Sequence, residues 1–292
     1  MTRPVASSEL AVSLPVPKRG RPRSVRHILA VTGLAAIAAV ITLPVLSTIL
    51  TALGTAPSTG YGPDTSVAFG ALKGAWDYGA MPRTLVNSLI VSIGAVIVLW
   101  VVCSLAAYAF AQLRFRGREI LFVLVLAMLL IPVQVIMFPL FKEFRDFGLV
   151  NSYHGLILGF VVFGIPLTTF QFAAYFKTLP RETIDAARVD GASTLQTLFR
   201  VVLPMSKPVL AVTGIINFVW IYNDVLLPFM LVQDAELKPL VAQLAVITQS
   251  QFFSSSVPVL AAAAVLGFAP TVVVYLIAQR QIVRGITAGA VK

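Results

Sequence analysis

Apolar residues in this chain gather into six runs of about twenty residues or more, and most charged residues lie in the segments between them. A run of this length with so few charges is typical of a helix that crosses a lipid bilayer. The pattern predicts an all-α membrane protein with six transmembrane helices, which cover about 27 to 53, 84 to 113, 120 to 141, 153 to 176, 208 to 230 and 257 to 279.

Prolines lie within several of these runs or near their ends. Membrane helices tolerate proline because neighbouring groups can satisfy the carbonyl that it frees. Kinks that help to bound a cavity are therefore expected at Pro44, Pro132, Pro139, Pro166 and Pro228.

The composition fits a membrane domain and leaves no room for a large soluble one. Of the 292 residues, 58% are hydrophobic and 12% are charged, which is about half of the charged fraction of a soluble domain. We expect one transmembrane domain over 27–280, with its core at 84–280, between a disordered basic tail at 1–26 and a short tail at 281–292. The first run is too long for the apolar region of a signal peptide, so it is interpreted as a retained helix.

The basic residues are distributed unequally between the two sides of the membrane. With the N-terminus in the cytoplasm, 17 of the 22 Lys and Arg residues fall in cytoplasmic segments and 5 fall outside. Cytoplasmic loops carry an excess of Lys and Arg, so both termini are expected to be cytoplasmic. The net charge of +10 is thus a topology signal, and no nucleic-acid partner is expected. The single cysteine, Cys103, excludes a disulfide framework and a cysteine-based zinc site, and no metal site is expected.

The longest cytoplasmic segment, about 177 to 207, is predicted to be a structured helix–glycine–helix element. Pro180 suits the first position of a helix over about 180 to 190, and Gly191 suits its C-terminal cap. Ser193 and Gln196 have the spacing of a capping box.

That capping box would begin a second helix over about 194 to 202. Leu195, Leu198, Phe199 and Val202 fall on one face of it. Leu203-Pro204 is expected to end the helix.

The same segment resembles the EAA loop of the permease subunits of ABC importers. Asp185-Ala186-Ala187 is followed after three residues by Gly191, and Leu203-Pro204 follows at the spacing of that loop, with Val201 at its branched position. The chain departs from the family pattern at Asp185, where glutamate is usual. The negative charge is kept, but the side chain reaches less far.

Softer matches extend the resemblance to the maltose-type sugar importers, over about 84 to 292. These matches are Arg188 to Ala192, Asn87-Ser88-Leu89, Leu149 to Tyr153, Tyr222-Asn223-Asp224 and the tail Val283 to Lys292.

The resemblance implies a type I ABC importer permease fold in the cytoplasmic (inner) membrane of a prokaryote. The permease would translocate a carbohydrate by alternating access, coupled to a separate ATPase through the 177–207 loop. The residues implied in this coupling are Asp185, Ala186, Ala187, Asp190, Gly191, Ala192, Leu203 and Pro204.

The implied partners supply what this chain lacks. No phosphate-cradling glycine motif occurs in the sequence, so ATP and Mg are expected on an ATPase dimer and no cofactor on this chain. A second permease subunit, an extracytoplasmic solute-binding protein, the carbohydrate and membrane lipid complete the expected set.

Two further groups of candidate residues follow from their position. Asp224 is acidic and is expected inside the fifth span, where charge is costly and usually functional. A structural hydrogen bond, or a position near the external end of the span where the cost is small, would also explain it. Asn217, Trp220, Tyr222 and Asn223 accompany it as candidates for a substrate path. In the external segment of about 231 to 256, the candidates for contact with the binding protein are Gln249, Gln251, Phe252 and Phe253. The alternative is that this segment is a lid that packs only on its own subunit.

Two other classes of function compete with the importer. A stand-alone secondary transporter would use Asp224 for a coupling ion, but such proteins usually have internal repeats and none is evident. An intramembrane enzyme would need convergent catalytic groups, whereas both His27 and His154 lie at the ends of spans. The sequence does not identify the sugar.

Overall fold

A computed structural model describes residues 25–54, 65–78, 80–248 and 257–290 of the chain, and these form helices without a strand. The helices are α1 (Val25–Ala52), α2 (Thr65–Tyr78), α3 (Met81–Gln112), α4 (Arg118–Leu130), α5 (Val133–Asp146), α6 (Tyr153–Phe176), α7 (Arg181–Val189), α8 (Thr194–Met205), α9 (Lys207–Asn223), α10 (Leu226–Leu231), α11 (Leu240–Ile247) and α12 (Val257–Ala290).

Within the described residues, four helices are long and apolar enough to cross a membrane unaided: α1, α3, α6 and α12. Two bent pairs, α4 with α5 and α8 with α9, raise the number of spans to at most six. Helix α6 has the bounds expected from the sequence, because its apolar run is uninterrupted and Ser152 caps its first turn by accepting a hydrogen bond from the Gly155 amide.

The third predicted span, 120 to 141, is broken rather than kinked at Pro132. The axes of α4 and α5 differ by 102°, and Ile131 has an extended backbone. Proline disfavours the helical conformation in the residue before it and cannot donate an amide hydrogen bond. The bend sends α5 away from the direction of α4.

The fifth predicted span, 208 to 230, is also not one helix. Helix α9 ends at Asn223, and Asp224 is extended before α10 begins. A kink was expected at Pro228, but Pro228 lies inside α10. The interruption therefore falls at the acidic residue instead of the proline.

Helices α3 and α6 form the centre of the bundle that begins at Ser47. Leu99 and Cys103 of α3 are fully buried, as are Leu156 and Phe172 of α6. Gly159 lets α6 approach α10 closely, because a Cβ at this position would lie 2.9 Å from a methyl carbon of Leu227. This small residue thus serves packing within the chain's own bundle.

The two segments expected to be external contain helices that the hydrophobic pattern did not reveal. Helix α2 lies in the segment of 54–83, and its Ala71 and Ala75 are buried. Helix α11 lies in the segment of 231–256, and its Leu240 is fully buried. Both are short, and short apolar segments give a weak periodic signal.

Helix α12 continues through 281–290, so the segment expected as a short C-terminal tail is helical as far as residue 290. The N-terminal tail expected at 1–26 lies almost entirely outside the described residues.

Candidate functional site

The turn between α7 and α8 has a geometry that explains the spacing of the EAA-like motif. The Gly191 amide donates to the Arg188 carbonyl, and the Ala192 amide donates to the Ala187 carbonyl, both at 3.0 Å. This is the Schellman arrangement, which satisfies the last carbonyls of a helix. It needs a left-handed residue at its centre, and Gly191 has φ +85°. The alanine and glycine of the motif are therefore fixed relative to each other by backbone hydrogen bonds.

The predicted capping box is present at the start of α8. The Ser193 hydroxyl accepts from the Gln196 amide at 3.3 Å, and the Gln196 side chain accepts from the Ser193 amide at 2.9 Å. Because these bonds follow the Schellman turn directly, the connection between α7 and α8 has little freedom.

Helix α8 does not end at Leu203-Pro204 as predicted. It passes through a π-helical turn at Leu198–Val202 and continues to Met205. Pro204 cannot donate an amide within the helix, and a wider turn just before it accommodates that loss. The axis then changes by 79° between Met205 and Lys207, where α9 starts.

The predicted apolar face of α8 is divided in the structure. Leu198 and Val202 are fully buried, as is Ile184 of α7, and they fix the loop to the bundle. Leu195 and Phe199, by contrast, are 57% and 51% exposed. Val189 at the end of α7 is also an exposed apolar residue, at 87%.

Two residues of the EAA-like motif are exposed on the same loop as these apolar side chains. Asp185 and Ala186 are exposed on α7. Asp185 lies 3.4 Å from the guanidinium of Arg188, and both side chains are largely in solvent. Such a pair contributes little to stability, so the carboxylate remains available to a partner. We call the set Asp185, Ala186, Val189, Leu195 and Phe199 the coupling surface.

Two of the five residues predicted to line a substrate path are enclosed in the bundle. Asn217 is 6% exposed, and its amide donates to the Thr168 hydroxyl at 3.0 Å and to the Thr213 carbonyl at 2.9 Å. Tyr222 is 1% exposed, and its hydroxyl donates to the Gly267 carbonyl at 3.1 Å. In this conformation the two residues hold α9 against α6 and α12.

The other three are partly exposed around the end of α9. The Trp220 ring packs edge-on against Phe160, with ring centroids 5.7 Å apart. Asn223 donates to the Val219 carbonyl at 2.7 Å. The Asp224 carboxylate accepts from the Leu227 amide at 2.9 Å, which is the bond that an N-terminal cap makes. This bond at the start of α10 is of the kind considered above as the hydrogen-bonded alternative for Asp224.

A polar cluster at the end of the bundle opposite the α7–α8 loop was missed as a site, although its residues belong to motifs that carry the resemblance. The Asn87 amide donates to the carbonyls of Glu236 and Lys238 at 2.8 and 3.0 Å, and its oxygen accepts from the Tyr153 hydroxyl at 2.7 Å. The Asn151 side chain accepts from the amides of 233 and 234 at 3.0 and 2.9 Å. These hydrogen bonds hold residues 232–239 across the N-terminal ends of α3 and α6. Gln249, Gln251, Phe252 and Phe253 lie outside the described residues.

Comparison with known proteins places these features in one family. Residues 104–288 match the sequence model of the family described as "Binding-protein-dependent transport system inner membrane component". The chain is 34% identical over 215 residues to a diacetylchitobiose uptake system permease of Streptomyces coelicolor, covering 74% of this chain and 71% of that protein. It is 32% identical over 228 residues to a trehalose transport system permease of Mycobacterium tuberculosis, covering 78% and 83%.

A solved structure has the same fold. It belongs to a bacterial ABC transporter involved in the import of the acidic polysaccharide alginate, and it aligns with a TM-score of 0.77 at 21% identity over 91% of this chain and 99% of that one. The match and the relatives identify a transport subunit rather than an enzyme, and they do not favour the ion-coupled secondary transporter. The residues that match the family model, 104–288, include the coupling surface and the broken fifth span. Because of this match, the chain belongs to the family of inner-membrane components of binding-protein-dependent ABC transport systems.

Proposed function

We propose that this permease imports a carbohydrate by alternating access, driven by an ATPase that docks on the coupling surface. The observation that carries the coupling role is the combination of a rigid turn with exposed apolar and acidic groups at its tip. The family supports an ATPase and a solute-binding protein as partners. The sugar class is supported by relatives named for diacetylchitobiose, for trehalose and for melibiose, raffinose and stachyose.

The loop is suited to transmit a displacement because few of its parts can move separately. The Schellman turn and the capping box join α7 to α8, and buried Ile184, Leu198 and Val202 fix both helices to the bundle. A movement applied to the coupling surface therefore passes through Ser206, which is fully buried at the bend, into α9. The ATPase would in this way shift the population of inward-open and outward-open states.

The remaining partners follow from the same assignment. ATP and Mg would bind to the ATPase dimer, and a second permease subunit would complete the path, forming a heterodimer. Both termini and the coupling surface would be cytoplasmic, because 17 of the 22 Lys and Arg residues lie on that side in this orientation. The external segment of about 231 to 256 would meet the solute-binding protein through Gln249, Gln251, Phe252 and Phe253.

The external contact has a direct test. Photo-crosslinking residues placed at Gln249 and Phe252 should capture the binding protein in the assembled importer. A crosslinker at Phe147, which is 74% exposed at the end of α5, reports whether capture is specific to the segment. Equal capture from all three positions, or none at all while transport persists, would argue against the contact.

The coupling role is tested by placing a charge on the apolar part of the coupling surface. Phe199→Asp and Leu195→Asp should each weaken ATPase association by about 30-fold or more, since buried apolar anchors at interfaces commonly contribute 2 kcal/mol or more. Phe147→Asp is the matched control, because it makes the same chemical change at an exposed phenylalanine on the opposite side. ATPase retention during purification and uptake of the three classes of oligosaccharide in vesicles are the measurements.

The two parts of the proposal can fail separately. Wild-type ATPase retention by both coupling variants would remove the role of this surface. Normal ATPase coupling without uptake of any oligosaccharide would instead overturn the assignment of the substrate class.

A further inference from the structure

A strongly basic cleft lies beside the coupling loop, between the end of α3 and the start of α7. Its volume is about 460 Å³, and it is lined by Arg114, Arg118, Arg181 and Arg188. Asp185 is the one acidic residue among its lining residues. Four guanidinium groups against one carboxylate leave a strong positive potential, which favours an anionic occupant.

Two of the four arginines have a carboxylate partner, and the other two have none in the part of the chain that the structure describes. Arg188 pairs with Asp185 at 3.4 Å, and Arg118 lies 3.7 Å from Glu119, whose side chain is 88% exposed. Arg114 and Arg181 have no ion pair or hydrogen-bond partner among the described residues. Two guanidinium groups, with five donors each, are therefore free to bind a ligand.

The backbone that carries the arginines is held in place. The Gln112 side chain donates to the Phe176 carbonyl at 2.6 Å, which ties the end of α3 to the end of α6. Arg118 also donates to the Leu113 carbonyl at 3.4 Å, and Ile184 between Arg181 and Arg188 is buried. The cleft is thus formed by fixed elements rather than by a loose loop.

The surroundings of the cleft indicate which anion it takes. Arg114 and Arg118 also line an adjoining depression of about 480 Å³. Its other lining side chains are Phe115, Ile120 and one acidic residue, Glu119. Beyond that depression α4 presents apolar side chains outward, and Ile120 and Val123 are 69% and 61% exposed. A ligand bound to these arginines therefore has an apolar surface directly beside it. This arrangement suits a molecule with a phosphate group and acyl chains.

We propose that this cleft binds the phosphate of an anionic phospholipid, whose acyl chains lie along α4. Basic pockets between membrane helices on the cytoplasmic side are suited to such headgroups, and guanidinium groups bind phosphate oxygens with paired hydrogen bonds. The lipid would join α4 to α7 and so brace the base of the coupling loop. Neither the family assignment nor the proposed sugar substrate is needed for this binding.

The test uses the purified full-length chain in a neutral detergent. Short-chain phosphatidylglycerol is titrated by microscale thermophoresis, with short-chain phosphatidylcholine and inorganic phosphate as separate probes. Each arginine removed by Arg114→Gln or Arg181→Gln should weaken phosphatidylglycerol binding by about fivefold, and Arg→Lys at the same positions should restore most of it. Arg116→Gln is the matched control, because Arg116 lies between two of the cleft arginines without lining the cleft, and it should change binding by less than about twofold.

Each outcome has one meaning. Binding of phosphatidylglycerol that depends on Arg114 and Arg181, and that phosphate and phosphatidylcholine do not match, supports the lipid site. Equal affinity for phosphate would make it a site for a soluble phosphate group and overturn the lipid assignment. If the glutamine variants bind phosphatidylglycerol like Arg116→Gln, or if the cleft arginines crosslink to the ATPase and bind no probe, the proposal is wrong. Size-exclusion profiles of the Arg→Lys variants show whether folding is intact.

Discussion

The coupling loop requires a left-handed backbone at Gly191 and, where the ATPase docks, a small side chain. Substitutions of Gly191 can separate these two requirements. Its backbone has φ +85°, and no atom lies within 4 Å of the position that a Cβ would take. An alanine or a leucine at this position would destabilise the left-handed turn by about 1–2 kcal/mol. This cost reduces the population of the native turn by about 5- to 30-fold. Asparagine tolerates left-handed backbone and should lose less. In the isolated chain the size of the side chain should therefore not matter.

Size should matter once the ATPase is bound. If a partner surface closes over Gly191, Gly191→Leu will clash where Gly191→Ala does not. The assay compares asparagine, alanine and leucine variants in two measurements: thermal unfolding of the purified chain, and sugar imported per ATP hydrolysed by the complex in proteoliposomes. We expect alanine and leucine to have similar unfolding temperatures, and leucine to lose far more coupling than alanine.

Gly148 provides the control, because its φ is +68° and the space around its Cβ position is also open. It follows α5, far along the chain from the coupling loop, so Gly148→Ala and Gly148→Leu should lower stability without uncoupling the ATPase. Normal coupling in Gly191→Leu would refute the role of this turn. Equal losses for asparagine and leucine would refute the argument from backbone conformation.

Three further predictions concern other parts of the molecule. Asp224→Ala should remove the cap of α10 and lower the stability of the purified chain by about 0.5–2 kcal/mol, whereas Asp224→Asn should keep the cap; equal losses in thermal unfolding would assign the effect to the charge. Asn87→Ala should remove three part-buried hydrogen bonds and cost about 1–3 kcal/mol, more than Tyr153→Phe, which removes one of them; the reverse order in chemical unfolding would contradict this network. A cysteine at Ser193 should react with an impermeant maleimide in inside-out vesicles but not in intact cells, and labelling of intact cells would reverse the topology.

The local sequence determined those features that depend on neighbouring residues in the chain. The ends of α6 follow from its uninterrupted apolar run and from the Ser152 cap, and both are readable from a short window. The turn at Gly191 and the capping box at Ser193 are likewise local, because each is completed by hydrogen bonds within about five residues. These local capping signals were therefore enough to predict a structured loop before its geometry was known.

Only the tertiary structure decided which of these residues are buried, because burial depends on partners that are distant in the sequence. Leu195 and Leu198 lie on the same predicted face, but the bundle covers Leu198 and leaves Leu195 in solvent. Asn217 was expected along a substrate path, but Thr168, 49 residues earlier in the chain, accepts its hydrogen bond inside the core. The arginine cleft also required the fold, since it joins the end of α3 to α7 across about seventy residues. Hydropathy reports how favourably a whole segment inserts into the membrane. Contacts between helices decide which side chains of that segment pack against neighbouring helices.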